Sequence, residues 1–335
     1  MKNPEADFAS PQSAIRISKF FALCSLLLAL GSVARAAEPA KLARIGFLTN
    51  NSPTTCPQCD AAFRLGLREL GYIEGKNIMI EWRYAEGKPG RLQEMLNELI
   101  RSNVAVIVSS GPATTRVAKE SNTTIPIVMA TDPDPVANEF VDSLARPGGN
   151  ITGLSTLAPG ISGKQLEILK EVVPRLARLA VFGTALERQK LKEIELAAAA
   201  LDVWCQFIDI VAANDIEPAF QKAAKAHADG LLVIELNEQR QQVVDLAVKH
   251  RLPATYTRPE YINAGGLMYY GTNYLDLFRR AATYVDKILK GAKPGDLPIE
   301  PPKKFDLIIN LKAAKQIGLT IPPNVLARAD IRGKE

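Results

Sequence analysis

The sequence predicts an α/β protein of two halves, each a parallel sheet covered by helices, and three observations carry that expectation. From Leu42 onward, short β-branched runs alternate with longer helical patterns, which is how strands buried on both faces by crossover helices read. Two such series occur, separated at Arg146-Pro147-Gly148-Gly149-Asn150, where turn-forming residues interrupt the pattern. A length of 335 residues with 47% hydrophobic and 23% charged residues suits about two globular domains and excludes disordered, collagenous and coiled-coil chains.

Taken in order, the chain opens with a segment separate from the body. Residues 20–30 form an apolar run of eleven behind Arg16 and Lys19, followed by Ala34-Arg35-Ala36, the small-x-small pattern of a signal peptidase site. Residues 1–36 are therefore expected to be a signal peptide cleaved after Ala36, leaving an exported, periplasmic protein. A membrane span needs ~20 apolar residues, and no stretch of the chain approaches that. Cys24 sits inside the apolar run after Leu23, which does not fit a lipid-anchor site.

The first series places strands at 44–49, 77–82, 104–109 and 125–130. Between them fall a helix over 60–70, capped by Asp60 and stopped by Gly71, a helix over 89–101, and a third opened by Pro112. The second series places helices at 163–173, 186–201, 216–228 and 238–250 and strands at 178–182, 203–208, 230–235 and 253–256. A strand over 266–270 and a helix over 273–290 follow, the latter with Leu275, Phe278, Ala282, Val285 and Leu289 at steps of three and four. A proline-rich connector over 293–302 then leads to a strand over 305–309.

Charge and motif content exclude several classes. The net charge of +5 is spread without a basic block, and removing residues 1–36 lowers it to +3, so no nucleic-acid partner is expected. His227 and His250 lie far from any cysteine pair, so no metal is expected. G-x-G-x-x-G, G-x-S-x-G and H-E-x-x-H are absent, and Gly160-Ile161-Ser162-Gly163-Lys164-Gln165 lacks the upstream glycine and the Ser/Thr of a phosphate loop. No cofactor is expected. Cys56-Pro57-Gln58-Cys59 stands between a strand and a helix and has two readings. One is a local structural disulfide; the other is a thiol-disulfide oxidoreductase motif whose first thiolate the helix start would stabilise.

One stretch, 143–155, reading Ser-Leu-Ala-Arg-Pro-Gly-Gly-Asn-Ile-Thr-Gly-Leu-Ser, closely resembles the TrpX-like family of ABC-transporter substrate-binding proteins. Further segments agree in order: 44–48, 62–72, His250-Arg251-Leu252-Pro253, Ala264-Gly265-Gly266-Leu267-Met268, 290–294 and Asn310-Leu311-Lys312. The resemblance covers essentially the whole exported chain. It implies a type I periplasmic binding fold of two Rossmann-like lobes joined by three crossover segments, with a ligand in the cleft. On that basis the first lobe should hold 37–152 plus about 262–291, and the second 153–261 plus about 296–330.

Ligands of open α/β sheets lie beyond the carboxyl ends of the strands. That rule selects four loops: Asn50 to Ser52, with Asn51; the segment Ser110-Gly111-Pro112-Ala113-Thr114-Thr115; Asp132 to Asn138, with Asp134; and, in the second lobe, Leu236 to Asn237, beside which the resemblance implies an acidic ammonium partner at Glu235. Gly111 lets backbone approach a ligand, and the helix start offers free N–H groups at Ala113 to Thr115 plus the Thr114 hydroxyl to an anion such as a carboxylate. Asp134-Pro135-Val136 matches the family's loop after the fourth strand, although its usual following glycine is Ala137 here. Tyr256 and Tyr270 end two strands where a ring can stack on an organic ligand. The expected function is a monomeric exported receptor, without enzymatic activity, that delivers a small organic ligand, an amino acid or carboxylate, to a membrane permease. The alternative is an exported thiol-disulfide oxidoreductase using Cys56 and Cys59. A transcription regulator's effector domain shares the fold but would carry a DNA-binding helix pair where the signal segment stands.

Overall fold

The computed structural model describes residues 42–333, except 89, 159, 186–187, 235 and 237–238. The expected signal peptide and its cleavage after Ala36 lie outside the described residues.

The first lobe is built on β1 (Ala43–Thr49), β2 (Ile78–Tyr84), β3 (Val106–Ser110), β4 (Ile127–Thr131) and β5 (Ile151–Gly153), all parallel, in the order β2-β1-β3-β4-β5. Its early helices are α1 (Pro57–Glu69), α2 (Arg91–Arg101) and α3 (Pro112–Glu120). Strands β3 and β4 are buried almost throughout because helices cover both faces, which removes any polar alternation. β5 goes unpredicted because three residues are too few to show a period. The first helix starts at Pro57, not Asp60: proline presets the first-turn φ, Cys56 becomes the N-cap, and Asp60 instead accepts a 2.6 Å hydrogen bond from the Tyr84 hydroxyl.

The second lobe adds α4 (Ile161–Val172), β6 (Arg178–Gly183), α5 (Arg188–Ala200), β7 (Trp204–Asp209), α6 (Ile216–Lys225), β8 (Gly230–Val233), α7 (Arg240–Lys249), β9 (Ala254–Tyr256), α8 (Glu260–Asn263) and β10 (Met268–Thr272). Helix α9 (Tyr274–Leu289) follows, then β11 (Phe305–Asn310), α10 (Leu311–Gln316), α11 (Pro323–Leu326) and β12 (Asp330–Arg332). The sheet order is β12-β11-β10-β9-β8-β6-β7, parallel except that β11 runs antiparallel to β10. Core residues gather on both faces: Leu166, Leu169 and Val181 on one, Phe182, Phe220 and Val243 on the other.

Two lobe boundaries move from their expected places. The strand after residue 265 lies in the second sheet between β9 and β11, so the chain returns to the first lobe only at Asn273 and not near 262. There α9 lays Leu277, Phe278, Ala281 and Val285 over the first sheet beside Phe63 and Leu67 of α1. Segment 297–300 stays on the edge of the first lobe, where Leu144 O accepts from Ile299 N–H at 2.7 Å and Gly153 O from Glu300 N–H at 3.2 Å. The final crossing therefore follows residue 300, not 296. The chain passes between the sheets three times, after β5 through 154–158, at Asn273 and through 301–304.

Candidate functional site

Because the chain leaves β5 and β10 at their carboxyl ends to cross between lobes, the carboxyl ends of both parallel sheets lie at the joint. In the first lobe the strand order reverses between β1 and β3, the switch point at which open α/β sheets bind ligands.

At that point β1 ends in a loop shaped by hydroxyls. Asn51 N–H donates to Thr49 Oγ1 at 3.2 Å, and Asn51 O accepts from Glu86 N–H. Ser52 Oγ lies 2.9 Å from both Thr54 Oγ1 and Thr55 Oγ1. The next turn carries the Cys56–Cys59 disulfide across the start of α1, with Cys59 buried against the first-lobe core and Cys56 partly exposed. Cys205, by contrast, is a half-buried free thiol on β7, its pKa pushed up to about 11 by burial.

β3 ends at Ser110, and Gly111 turns the chain into α3 with φ +95°, a left-handed conformation that a Cβ would strain even though nothing stands within 4 Å of one. Thr114 and Thr115 are fully buried. The Thr114 hydroxyl donates to Gly111 O at 2.7 Å, and the Thr115 hydroxyl pairs with Ser109 Oγ at 2.8 Å. The Thr114 hydroxyl is thus engaged within the turn, and the Thr115 N–H, expected to be free, donates to Gly111 O at 3.2 Å, so the donors this helix start can offer are the N–H groups of Ala113 and Thr114. No side chain caps α3.

β4 delivers a group that the sequence reading placed at the start of a candidate loop without singling it out. Asp132, directly after Thr131, is fully buried. Its Oδ1 accepts from Asp134 N–H at 3.0 Å and from Asn138 Nδ2 at 2.9 Å, whereas Oδ2 has no hydrogen-bond partner among the described residues. Burial pushes its carboxyl up to about 6, against the two hydrogen bonds that favour the anion. Asp134 itself closes its own turn, with Oδ1 accepting from Ala137 N–H at 3.0 Å, so the N–H of the residue replacing the family's glycine is already used.

The second lobe contributes differently from expectation. Glu235 lies outside the described residues. Tyr256 is 1% exposed and stacks on Tyr261 at 4.5 Å, making it a core residue with no surface for a ligand. Tyr270 stacks on Phe305 at 6.1 Å and rests against the core of its own lobe. The residue that does follow a strand end is Arg258, two beyond β9. Its Nη1 donates to Tyr274 Oη at 3.0 Å, with the guanidinium 5.0 Å from that ring, and its Nη2 lies 3.3 Å from Glu260. Arg258 is in the second lobe and Tyr274 opens the helix that covers the first, so this contact spans the joint.

A charged network ties the crossings. Asp276 faces Lys304 at 3.1 Å and Arg280 at 3.6 Å; Arg280 reaches Glu300 at 2.5 Å; Ser155 N–H donates to Glu300 O at 3.0 Å. All three crossings thus share one set of contacts.

Two doubly wound lobes with strand ends converging on a three-segment joint define the type I periplasmic binding fold. The chain belongs to the ABC transporter substrate-binding protein family, whose model matches residues 58–332. It is 23% identical to the tyrosine-binding protein of Clostridioides difficile (strain R20291) over 275 residues, 78% of each chain. Among solved structures it is similar to a conserved domain protein from Vibrio cholerae, with 28% identity, a TM-score of 0.74, and 87% of this chain and 99% of that one covered. An ABC domain from Streptococcus pneumoniae in complex with L-Trp shares the fold, at 23% identity, a TM-score of 0.74, and coverage of 86% and 99%.

Proposed function

We propose that this protein is an exported receptor that binds a free amino acid between its lobes and presents it to a membrane permease for import. The observation that carries the reading is the start of α3 at the β1/β3 switch point. There, the N–H groups of Ala113 and Thr114 stand beside Ser110 and the glycine turn, a site suited to an α-carboxylate, while the Thr115 N–H is already bonded to Gly111 O. The family assignment supplies the transport role, and the named tyrosine-binding and tryptophan-bound relatives support an amino acid as ligand. Binding across the joint would favour a closed arrangement of the lobes over an open one.

The test is a thermal-shift screen of the purified exported chain against the twenty L-amino acids and small carboxylates. A ligand present at 100 times its Kd stabilises the folded state by about 2.7 kcal/mol. At least one amino acid should raise the melting temperature by several degrees. If none does, the reading fails.

A further inference from the structure

We propose that the Cys56–Cys59 disulfide is a redox latch at the rim of the crevice. Closed, it holds the loop after β1 in place for a ligand, and its reduction by a dithiol lowers the affinity for that ligand. The inference rests on the amino-acid reading above and adds to it a means of regulating the same site.

The first observation is where the bridge sits. Thr49 ends β1 opposite Ser110, so the loop that follows β1 leaves its strand beside the start of α3. That loop runs through Asn51 and the turn from Ser52 to Thr55 into Cys56, the N-cap of α1.

The second is how little else holds the loop. At its near end Asn50 and Asn51 are tied to the turn after β2, with Gly87 N–H donating to Asn50 O and Glu86 N–H to Asn51 O. From Ser52 to Thr55 every hydrogen bond among the described residues is internal to the turn, and Pro53, Thr54 and Thr55 are exposed. At its far end the loop depends on Cys56. That residue is held by the bond from Cys59 N–H to its own O and by the disulfide to Cys59, which lies in the first-lobe core with Phe63 and Leu67. Without the bridge, a hydrogen bond in the first turn of a helix remains, and helix ends fray.

The third is what the bridge leaves to others. It spans a sequence separation of 3, and the constraint that a disulfide places on an unfolded chain is smallest for short rings. Beyond it α1 has its own anchors, the Tyr84 hydroxyl donating to Asp60 Oδ2 at 2.6 Å and Phe63 and Leu67 buried in the core. Reduction therefore frees the loop and the first turn while the lobe stays folded. The ligand must then order the loop as it binds, and that ordering appears as lost affinity.

The chemistry is ordinary thiol-disulfide exchange. Cys56 is the partly exposed partner and Cys59 the buried one, so an incoming dithiol meets Cys56 first. Its thiolate attacks Cys56 Sγ, forming a mixed disulfide, and Cys59 leaves as a thiolate that takes up a proton. The second thiol, deprotonated in turn, closes the reductant's own disulfide and releases Cys56, which is protonated. Two electrons pass from the dithiol to the bridge.

The competing account is a passive staple. The probe is dithiothreitol, applied to the native exported chain under argon, with the alkylated cysteines identified by mass; Cys205 is free in both forms and cancels. The amino acid giving the largest shift in the screen is titrated calorimetrically into oxidised, reduced and reoxidised protein. The bridge should open without denaturant, affinity should fall at least about fivefold, and reoxidation should restore it. Cys56→Ser should bind as the reduced parent does and ignore dithiothreitol. A loss smaller than fivefold on reduction overturns the proposal, and so does a bridge that opens only in denaturant. A reduced protein that unfolds also overturns it, since the bridge is then a staple of the whole lobe. An oxidised parent that binds no amino acid overturns the amino-acid reading, and this proposal with it, before any reductant is added.

Discussion

At the scale of single residues, the balance at Asp132 makes a prediction about stability that is independent of any ligand. Its folded pKa, about 6, lies above the ordinary value of 3.8, so the folded state resists ionisation and stability falls as pH rises between those values. Below about pH 4 both states are protonated and no penalty exists; above pH 6 it is complete. The shift corresponds to on the order of 3 kcal/mol at most. Urea unfolding of parent and Asp132→Asn at pH 4, 5.5 and 7.5 should show the variant's advantage growing across that window and then levelling. A constant difference would mean that the carboxylate is solvated in the folded state. The Asp-Pro-Asp-Pro stretch explains why the sequence reading, which opened a candidate loop at Asp132, singled out Asp134 within it. Either aspartate can follow the fourth strand, and the choice depends on whether β4 stops at Ala130 or Thr131, a one-residue margin that propensity does not resolve. Tyr256 misled for a related reason: a tyrosine at a strand end reads alike whether its ring faces a crevice or, as here, Tyr261.

At the scale of elements, the interface between α1 and α9 is held close by Gly66. A Cβ there would run into the carbonyl oxygen of Arg279 and stand 2.9 Å from the Ala282 Cβ, so neither backbone nor side chain can simply give way. Gly66→Ala trades a favourable helix propensity for forced separation of two helices. Overpacking of this kind typically costs about 1–3 kcal/mol, and the melting temperature should drop by several degrees while far-UV circular dichroism of the folded protein stays unchanged. A variant as stable as the parent would show that the helices part freely. The helices and most strands were legible because periodicity is a local property. Sheet membership was not: 266–270 looks the same whether it joins the first sheet or the second, and its place beside β9 is decided by pairing with residues far along the chain. The three-residue strands β5 and β12 carry no period at all.

At the scale of the whole molecule, a ligand held between lobes joined by three crossings is expected to draw them together. Small-angle scattering should report a smaller radius of gyration when the ligand found in the screen is added at saturation. An unchanged radius would mean that capture occurs without closure. The same connectivity governs how the protein comes to be assembled. All five strands of the first sheet are complete by Gly153, yet the helix that covers one face, α9, begins at Tyr274, after most of the second sheet has been made. During synthesis the early lobe therefore waits with that face covered by α1 but not by α9 until the last quarter of the chain arrives. Neither lobe is a module that can be excised, and a truncation anywhere before residue 289 strands the one that was made first.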